Sequence, residues 1–323
     1  MQVVLLNKNI YDIIHLQKIS MRKEQLIMNV ELGISTFGEM TPLEKTGKAI
    51  SHDERIRNLI EEVELADQVG IDAYAIGEHH RKDFAVSAPE IIIAMAAAKT
   101  KQIHLSSATT NLPTIDPIRV FVQYATIDAM APGRIGIMAG RGSFTEAFDL
   151  FGYDLDNYDE LFKEKLDMLV EINRNEILDW PKGKFTPKVD HIGIYPRPKK
   201  PLKISLATGG NPNSTIRAAE MGLPIVYAII GGQMDAFKPL VQLYRVVAEK
   251  TGHKLSEIPV SAHSWGWLSD DKEKAIKEYF YPTKLLVDTI SKERPQWTGM
   301  TYEQYLESIG ENGVIFVGNA DTV

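Results

Sequence analysis

Cysteine is missing altogether from the 323 residues, which removes disulfides, thiolate zinc sites and cysteine nucleophiles in one step. No apolar run approaches the roughly 18 residues of a membrane span. The start of the chain has no long apolar core followed by small residues, so it does not read as a signal peptide. Positive charge is short as well: 36 Lys and Arg against 43 Asp and Glu leave a formal net charge of -7, with no basic block to form a nucleic-acid surface. Internal repeats and low-complexity tracts are also lacking. These absences fit a cytoplasmic protein without a membrane or nucleic-acid partner.

What is present is ordinary soluble composition, 44% apolar and 24% charged, enough for a sizeable core. Apolar runs predict strands at residues 30–35, 72–77, 103–110, 134–139, 203–207, 224–230 and 258–268. Between them, helical spacing predicts helices. Ser51 with Glu54 opens the first, whose Ile56, Leu59, Ile60, Val63, Ala66 and Val69 recur on one face until Gly70. Ser87 with Glu90 opens an Ala-rich helix to Lys99, and Asp116-Pro117 starts a third. Further helices are predicted at 156–173, 214–221 and 235–250. Seven strands alternating with helices in one series imply parallel pairing and right-handed crossovers, so the expected fold is α/β, a TIM-type barrel. Residues 182–198 break the beat, and their alternation around Phe185, Val189, Ile192 and Ile194 predicts an inserted hairpin. A second insertion is expected at 291–312, before a short apolar run at 314–317.

Chemistry is expected where apolar strands stop at polar residues. Ala75-Ile76-Gly77-Glu78-His79-His80 ends a buried run in an acid and two imidazoles, side chains suited to proton transfer, anion binding or metal ligation. Leu105 to Pro113 places Ser106, Ser107, Ala108, Thr109, Thr110 and Asn111 at a strand end, small enough for a flat ring to approach the backbone. A plain tight turn accounts for that string equally well. Gly140-Arg141-Gly142-Ser143 sets a guanidinium between glycines, an arrangement suited to bidentate anion capture. It is no dinucleotide fingerprint, because Thr145 stands where the third glycine would be. Thr208-Gly209-Gly210-Asn211-Pro212-Asn213-Ser214-Thr215 offers exposed amides and hydroxyls at a helix start, a phosphate cradle that exceeds what capping requires. Trp265 and Trp267 alternate on one strand and share a side, as pocket wall or core. His104 and His263 read as structural.

These stretches resemble the bacterial luciferase-like flavin monooxygenases, a barrel family. The resemblance covers residues 29–268 and is carried by Gly77-Glu78-His79-His80, Asn111-Leu112-Pro113-Thr114 with Asp116-Pro117, Gly140-Arg141-Gly142, and Ala218-Ala219-Glu220-Met221-Gly222-Leu223-Pro224. It implies FMN, rather than a deazaflavin, lying across the carboxyl-terminal mouth. His79 then matches the family's catalytic histidine. Ala108-Thr109 matches a step that can be a cis non-proline peptide beneath the flavin. Gly140 adjoins the grip, and Arg141 with Thr208, Gly209, Gly210, Asn211 and Ser214 matches the phosphate site. Reduced FMN, delivered by a separate flavin reductase, would react with dioxygen, and an aldehyde or similar small organic substrate would be oxidised with His79 as base or hydrogen-bond donor.

Two departures accompany the resemblance. Gly140 occupies the place of a reactive cysteine in light-emitting members, which argues against bioluminescence. Family members also continue beyond a segment like Val317 to Asp321 with a helix, the eighth strand and a last helix, so the eighth βα unit is expected to be absent from this sequence. Residues 1–28 are expected as a loosely docked extension and 29–323 as one barrel domain. The alternative lets a strand at residues 2–6, with a helix beginning near Ile10, occupy the vacant eighth position. An acidic barrel with an edge hairpin is compatible with a homodimer. Competing functional readings are a non-catalytic flavin-binding relative and a metal-dependent barrel hydrolase using Glu78, His79 and His80, disfavoured because adjacent strand residues point apart.

Overall fold

Local signals start and stop the helices much as the spacing predicts. The computed structural model describes residues 30–142, 144–293 and 298–323; the expected features at 1–28 and Ser143 lie outside the described residues. The elements in chain order are β1 (Gly33–Thr36), α1 (His52–Val69), β2 (Ala73–Ile76), α2 (Pro89–Lys99), β3 (His104–Ser107), β4 (Thr110–Asn111), α3 (Pro117–Met130) and β5 (Ile135–Gly140). There follow α4 (Glu146–Phe151), α5 (Tyr158–Arg174), β6 (Ile177–Trp180), β7 (Val189–Gly193), β8 (Lys203–Thr208), α6 (Pro212–Met221) and β9 (Ile225–Ile229). The last are α7 (Lys238–Lys250), β10 (Val260–Leu268), α8 (Lys272–Glu293), α9 (Tyr302–Ser308) and β11 (Ile315–Gly318).

Ser51 caps α1 by accepting from the Glu54 amide, and Gly70 ends it in the left-handed region at φ 80°. Asp116 caps α3 through the Arg119 amide at 2.8 Å, with Pro117 at the first helical position. Ser87 does not cap α2. That helix begins at Pro89 after Ala88 with no side-chain cap, because proline needs no partner for an N–H it lacks.

The main sheet is wholly parallel and runs β1-β2-β3-β5-β8-β9-β10-β11, with β4 also paired to β5. Helices pack outside it, so this is the expected TIM-type barrel. Among the described residues no ladder joins β11 to β1, and the ring is open at that seam. Here β11 takes only the carboxyl half of β10, from Trp265 to Leu268, while β9 takes residues 260–264. The other edge shows the same opening: Val30 and Leu32, just ahead of β1, are 55% and 46% exposed.

Alternation along each strand divides the residues between two environments. Outward side chains such as Tyr74, Ile76, Leu105, Ile137, Leu206 and Tyr227 are buried against the helices in the main core. Inward positions form a smaller cluster of their own, Ala75, Ala108, Met138 and Val226, and Ser35 Oγ lies 3.5 Å from His263 Nδ1 across the lumen. Burial holds His263 below the usual imidazole range. The core therefore lies between sheet and helices, and the lumen admits polar groups.

Three elements differ from expectation. The hairpin is β6 with β7, antiparallel, so it opens at Ile177 before the expected residue 182. Its strands are half-solvated, and Ile177 itself is 39% exposed, so no apolar alternation marks its start. Residues 103–110 form two strands, not one, because the chain breaks its ladder at Ala108-Thr109. The first part of the expected insertion at 291–312 belongs to the end of α8, a helix that contains Pro282 and so reads in sequence as interrupted.

Asp67 on α1 joins the barrel's base together. Its carboxylate accepts the amides of Lys101, Gln102 and Ile103 at 3.0, 2.9 and 2.8 Å, just ahead of β3. Burial opposes the charge, but those amides hold the carboxyl below its ordinary value. Its contribution to stability is therefore complete above the unfolded pKa of about 3.9 and is lost as pH falls through the lower folded value. Asp67→Ala leaves three amides without their acceptor and should cost roughly 1–3 kcal/mol at pH 7. Urea unfolding at pH 7 and at pH 3 checks both the size and the narrowing of the difference in acid.

Candidate active site

While Ala218 to Pro224 joins the end of α6 to the start of β9, four of the motifs singled out in the sequence fall at carboxyl ends of the parallel strands: Gly77 to His80 after β2, Ala108 to Asn111 around β4, Gly140 to Gly142 at β5, and Thr208 to Ser214 after β8. Parallel pairing forces this, since strands running in one direction deliver all their following loops to one rim.

His79 is 4% exposed and sits in an aromatic box, its ring 4.7 Å from Phe37, 4.5 Å from Phe84 and 4.9 Å from Phe144. Its amide donates to the Val86 carbonyl at 3.0 Å, which fixes the backbone behind the ring. Its Nδ1 lies 3.4 Å from Glu146 Oε1 on α4. The neighbouring His80 turns elsewhere, its Nε2 2.9 Å from Glu78 Oε1, and that hydrogen bond raises its pKa above the usual value. Glu78 Oε2 in turn accepts the Asn111 amide at 3.0 Å, tying the β2 loop to β4. Of the three side chains of the metal reading, Glu78 and His80 pair with each other while His79 turns away to Glu146, and no group of three or more potential ligands gathers among the described residues.

The peptide between Ala108 and Thr109 is cis. The strand ends around it allow only hydrogen as a side chain. A Cβ on Gly77 would meet the Phe37 ring and come within 2.9 Å of the Ala108 carbonyl, and one on Gly140 would come within 2.6 Å of Thr109 Cβ. A larger residue at Gly140 therefore displaces Thr109.

Arg141 reaches across to the β8 loop, where its Nη1 donates to Ser214 Oγ at 3.0 Å. Its guanidinium lies 4.3 Å from the Phe162 ring centre and 5.7 Å from that of Tyr158, both on α5, and Nη2 stands 3.4 Å from Asp159. Burial lowers its pKa, and a guanidinium stays charged in proteins. Nε is buried and has no hydrogen-bond partner among the described residues, an orphan donor that an anion would satisfy. Across the loop, Asn211 Oδ1 caps α6 by accepting the Asn213 and Ser214 amides, and Thr208 Oγ1 accepts the Asn211 amide. Gly210 has φ 103°, which turns the chain there, and a Cβ on Gly209 would meet nothing within 4 Å. The space beside Gly209 is open.

Sequence reasoning missed Glu146, the three phenylalanines and the α5 rings beneath Arg141. It also missed Lys165, fully buried on α5, whose Nζ donates to the Pro113 carbonyl at 2.6 Å and whose pKa burial lowers to about 8. Glu and Lys on helices read as solvated faces, and no spacing marks the few that turn inward. Trp265 lines a cavity of about 70 Å³ with Met40, Phe84, Tyr279, Pro282 and Leu286. Phe84 is common to that cavity and to the His79 box, so the two adjoin. Trp267 stacks on Tyr279 instead, at 5.7 Å. His104 opens β3 at the opposite end of its strand from the rim, and His263 lies within β10, in keeping with structural roles.

The family model of the luciferase-like monooxygenases matches residues 30–314. Among curated proteins, N-acetyl-S-alkylcysteine monooxygenase of Bacillus subtilis is 27% identical over 197 residues, 59% of this chain and 57% of that one. The alkanal monooxygenase alpha chain of the Kryptophanaron alfredi symbiont is 27% identical over 217 residues, 65% of this chain and 58% of that one. The matched region thus spans less than two thirds of either relative. Among solved structures, the oxygenating constituent of 3,6-diketocamphane monooxygenase from Pseudomonas putida, in complex with FMN, superposes with a TM-score of 0.68. It is 22% identical, covering 91% of this chain and 86% of that one, and shows the shared fold.

Proposed function

Because the chain belongs to the luciferase-like monooxygenase family, we propose that it binds reduced FMN at the carboxyl-terminal rim and oxidises an aldehyde or similar small organic substrate with dioxygen. The observation that carries this reading is the bond between Arg141 and Ser214, 73 residues apart in the chain, made at the same rim as His79 and leaving a buried Nε to be satisfied. The residues present fit the cofactor. Arg141, Ser214 and the amides beside Gly209 and Gly210 would hold the phosphate. Ala108 and Thr109, pressed close by Gly77 and Gly140, would support the ring. When bound, reduced FMN supplies the electrons that activate dioxygen.

The protein's own side chains do the rest. His79 holds or accepts a proton at its ring nitrogen, while Phe37, Phe84 and Phe144 keep water from it. The cavity beside Phe84 has room for about two water-sized groups and suits an apolar end of the substrate. Electrons arrive from a separate reductase, since the chain carries no dinucleotide fingerprint. A homodimer belongs to the same reading: α2 is apolar nearly all round and leaves Ile91 56% and Met95 38% exposed.

The test is direct. Protein mixed with FMN and desalted should retain flavin absorbance, and adding photoreduced FMN and decanal under air should form decanoic acid above the amount made without protein, with one dioxygen consumed and one water released per aldehyde oxidised. Retention without decanoic acid identifies a flavin-binding relative; no retention removes the cofactor assignment.

A further inference from the structure

We propose that Glu146 is the positioning residue of His79: its carboxylate holds the imidazole proton on Nδ1 and leaves the Nε2 lone pair as the base. The inference deepens the flavin reading and rests on it for its catalytic meaning, while the ring geometry stands by itself. Glu146 is the first residue of α4, the short helix that follows the Gly140-Arg141-Gly142 loop. Its Oε1 lies 3.4 Å from His79 Nδ1 and also accepts the His80 amide at 3.2 Å, so backbone and ring are held by one oxygen. Its Oε2 is buried and has no hydrogen-bond partner among the described residues, so no other donor draws off its charge.

Which nitrogen carries the proton follows from the donors. Burial works against the Glu146 charge, but hydrogen bonds from His79 and from backbone amides hold its carboxyl below the usual value. The carboxylate is therefore ionised near neutral pH and can only accept, so Nδ1 must donate and a neutral ring has its lone pair at Nε2. Other charges near the ring are already engaged. Glu78 and His80 pair with each other at 2.9 Å, and Arg81 lies over the Phe144 ring at 4.4 Å and reaches Asp83 at 3.2 Å. The three phenylalanines around His79 offer no competing acceptor, so among the described residues the choice of tautomer falls to Glu146.

The test is a long-range ¹H–¹⁵N spectrum of histidine-labelled full-length protein at pH 8, with the His79 signals assigned by their loss in His79→Gln. The parent should carry the ring proton on Nδ1. Glu146→Gln, whose amide can donate as well as accept, should show the Nε2–H form, as should Glu146→Ala, and in both the melting temperature shows that the fold persists. Decanoic acid formation from decanal with reduced FMN under air should fall about 10- to 100-fold in kcat, the scale on which groups that orient a histidine act, with FMN retention unchanged. Glu146→Asp should recover part of the loss. A parent ring protonated on Nε2, or a tautomer unmoved by Glu146→Gln and Glu146→Ala alike, overturns the proposal. A parent that shows the Nδ1–H form yet retains no flavin overturns the flavin reading and leaves the positioning role intact.

Discussion

Arg141→Ala should weaken FMN binding about 10- to 100-fold and leave riboflavin binding nearly unchanged. The direction follows from chemistry: riboflavin has the same ring without the phosphate, and Arg141 lies at the phosphate end of the proposed site, bonded to Ser214 at 3.0 Å. The size follows from the roughly 1.5–3 kcal/mol of a hydrogen bond to a charged group, with each 1.4 kcal/mol worth tenfold. Arg141→Lys should fall between, because an ammonium carries the charge without the planar fork that also stacks on Phe162. Fluorescence titrations with both flavins measure the contrast. Equal losses for FMN and riboflavin would show that the change had disturbed the ring platform and not a phosphate grip. Melting of each variant is recorded alongside, since Arg141 packs against two rings of α5.

The second large effect is on turnover. His79→Gln should lower oxygen-dependent substrate oxidation about 10²- to 10⁴-fold, the usual range for removing a general base, while the desalted protein still holds FMN. The glutamine keeps a polar group in the box made by Phe37, Phe84 and Phe144 but cannot take up a proton there. His80→Gln provides the control, because that ring is committed to Glu78 at 2.9 Å and its loss should act on stability. The sign is fixed by the raised pKa of His80: the pair's contribution is fully present below the unfolded value of about 6.5 and disappears as pH rises through the higher folded value. Turnover that falls equally in both variants would remove His79 from its special place.

The contrast between these two histidines shows how far the sequence can be read. Glu78, His79 and His80 stand side by side and suggest three equivalent ligands. The fold separates the two imidazoles: His79 faces a carboxylate from α4, while His80 pairs with Glu78, two residues behind it. Alternation along an extended chain predicts that they diverge, but only packing decides what each one meets. Glu146 lies 67 residues from His79 in the numbering, and nothing in the string around it marks it as more than a helix-start acid.

Caps, glycine stops and the alternation of apolar runs were legible because they are local: Asp116 caps α3, which starts at Pro117, and Gly70 ends α1, through bonds spanning a few residues. From the alternation also follow parallel strands, one rim, and the arrival of the glycine, arginine and histidine loops at that rim. Tertiary structure alone decided the break at Ala108-Thr109, the continuity of α8 through Pro282, the burial of Lys165 and the pairing of His79 with Glu146. The physical reason is range. A backbone bond within one turn can be satisfied by neighbours in sequence, whereas a buried charge finds its partner only after distant elements have packed together.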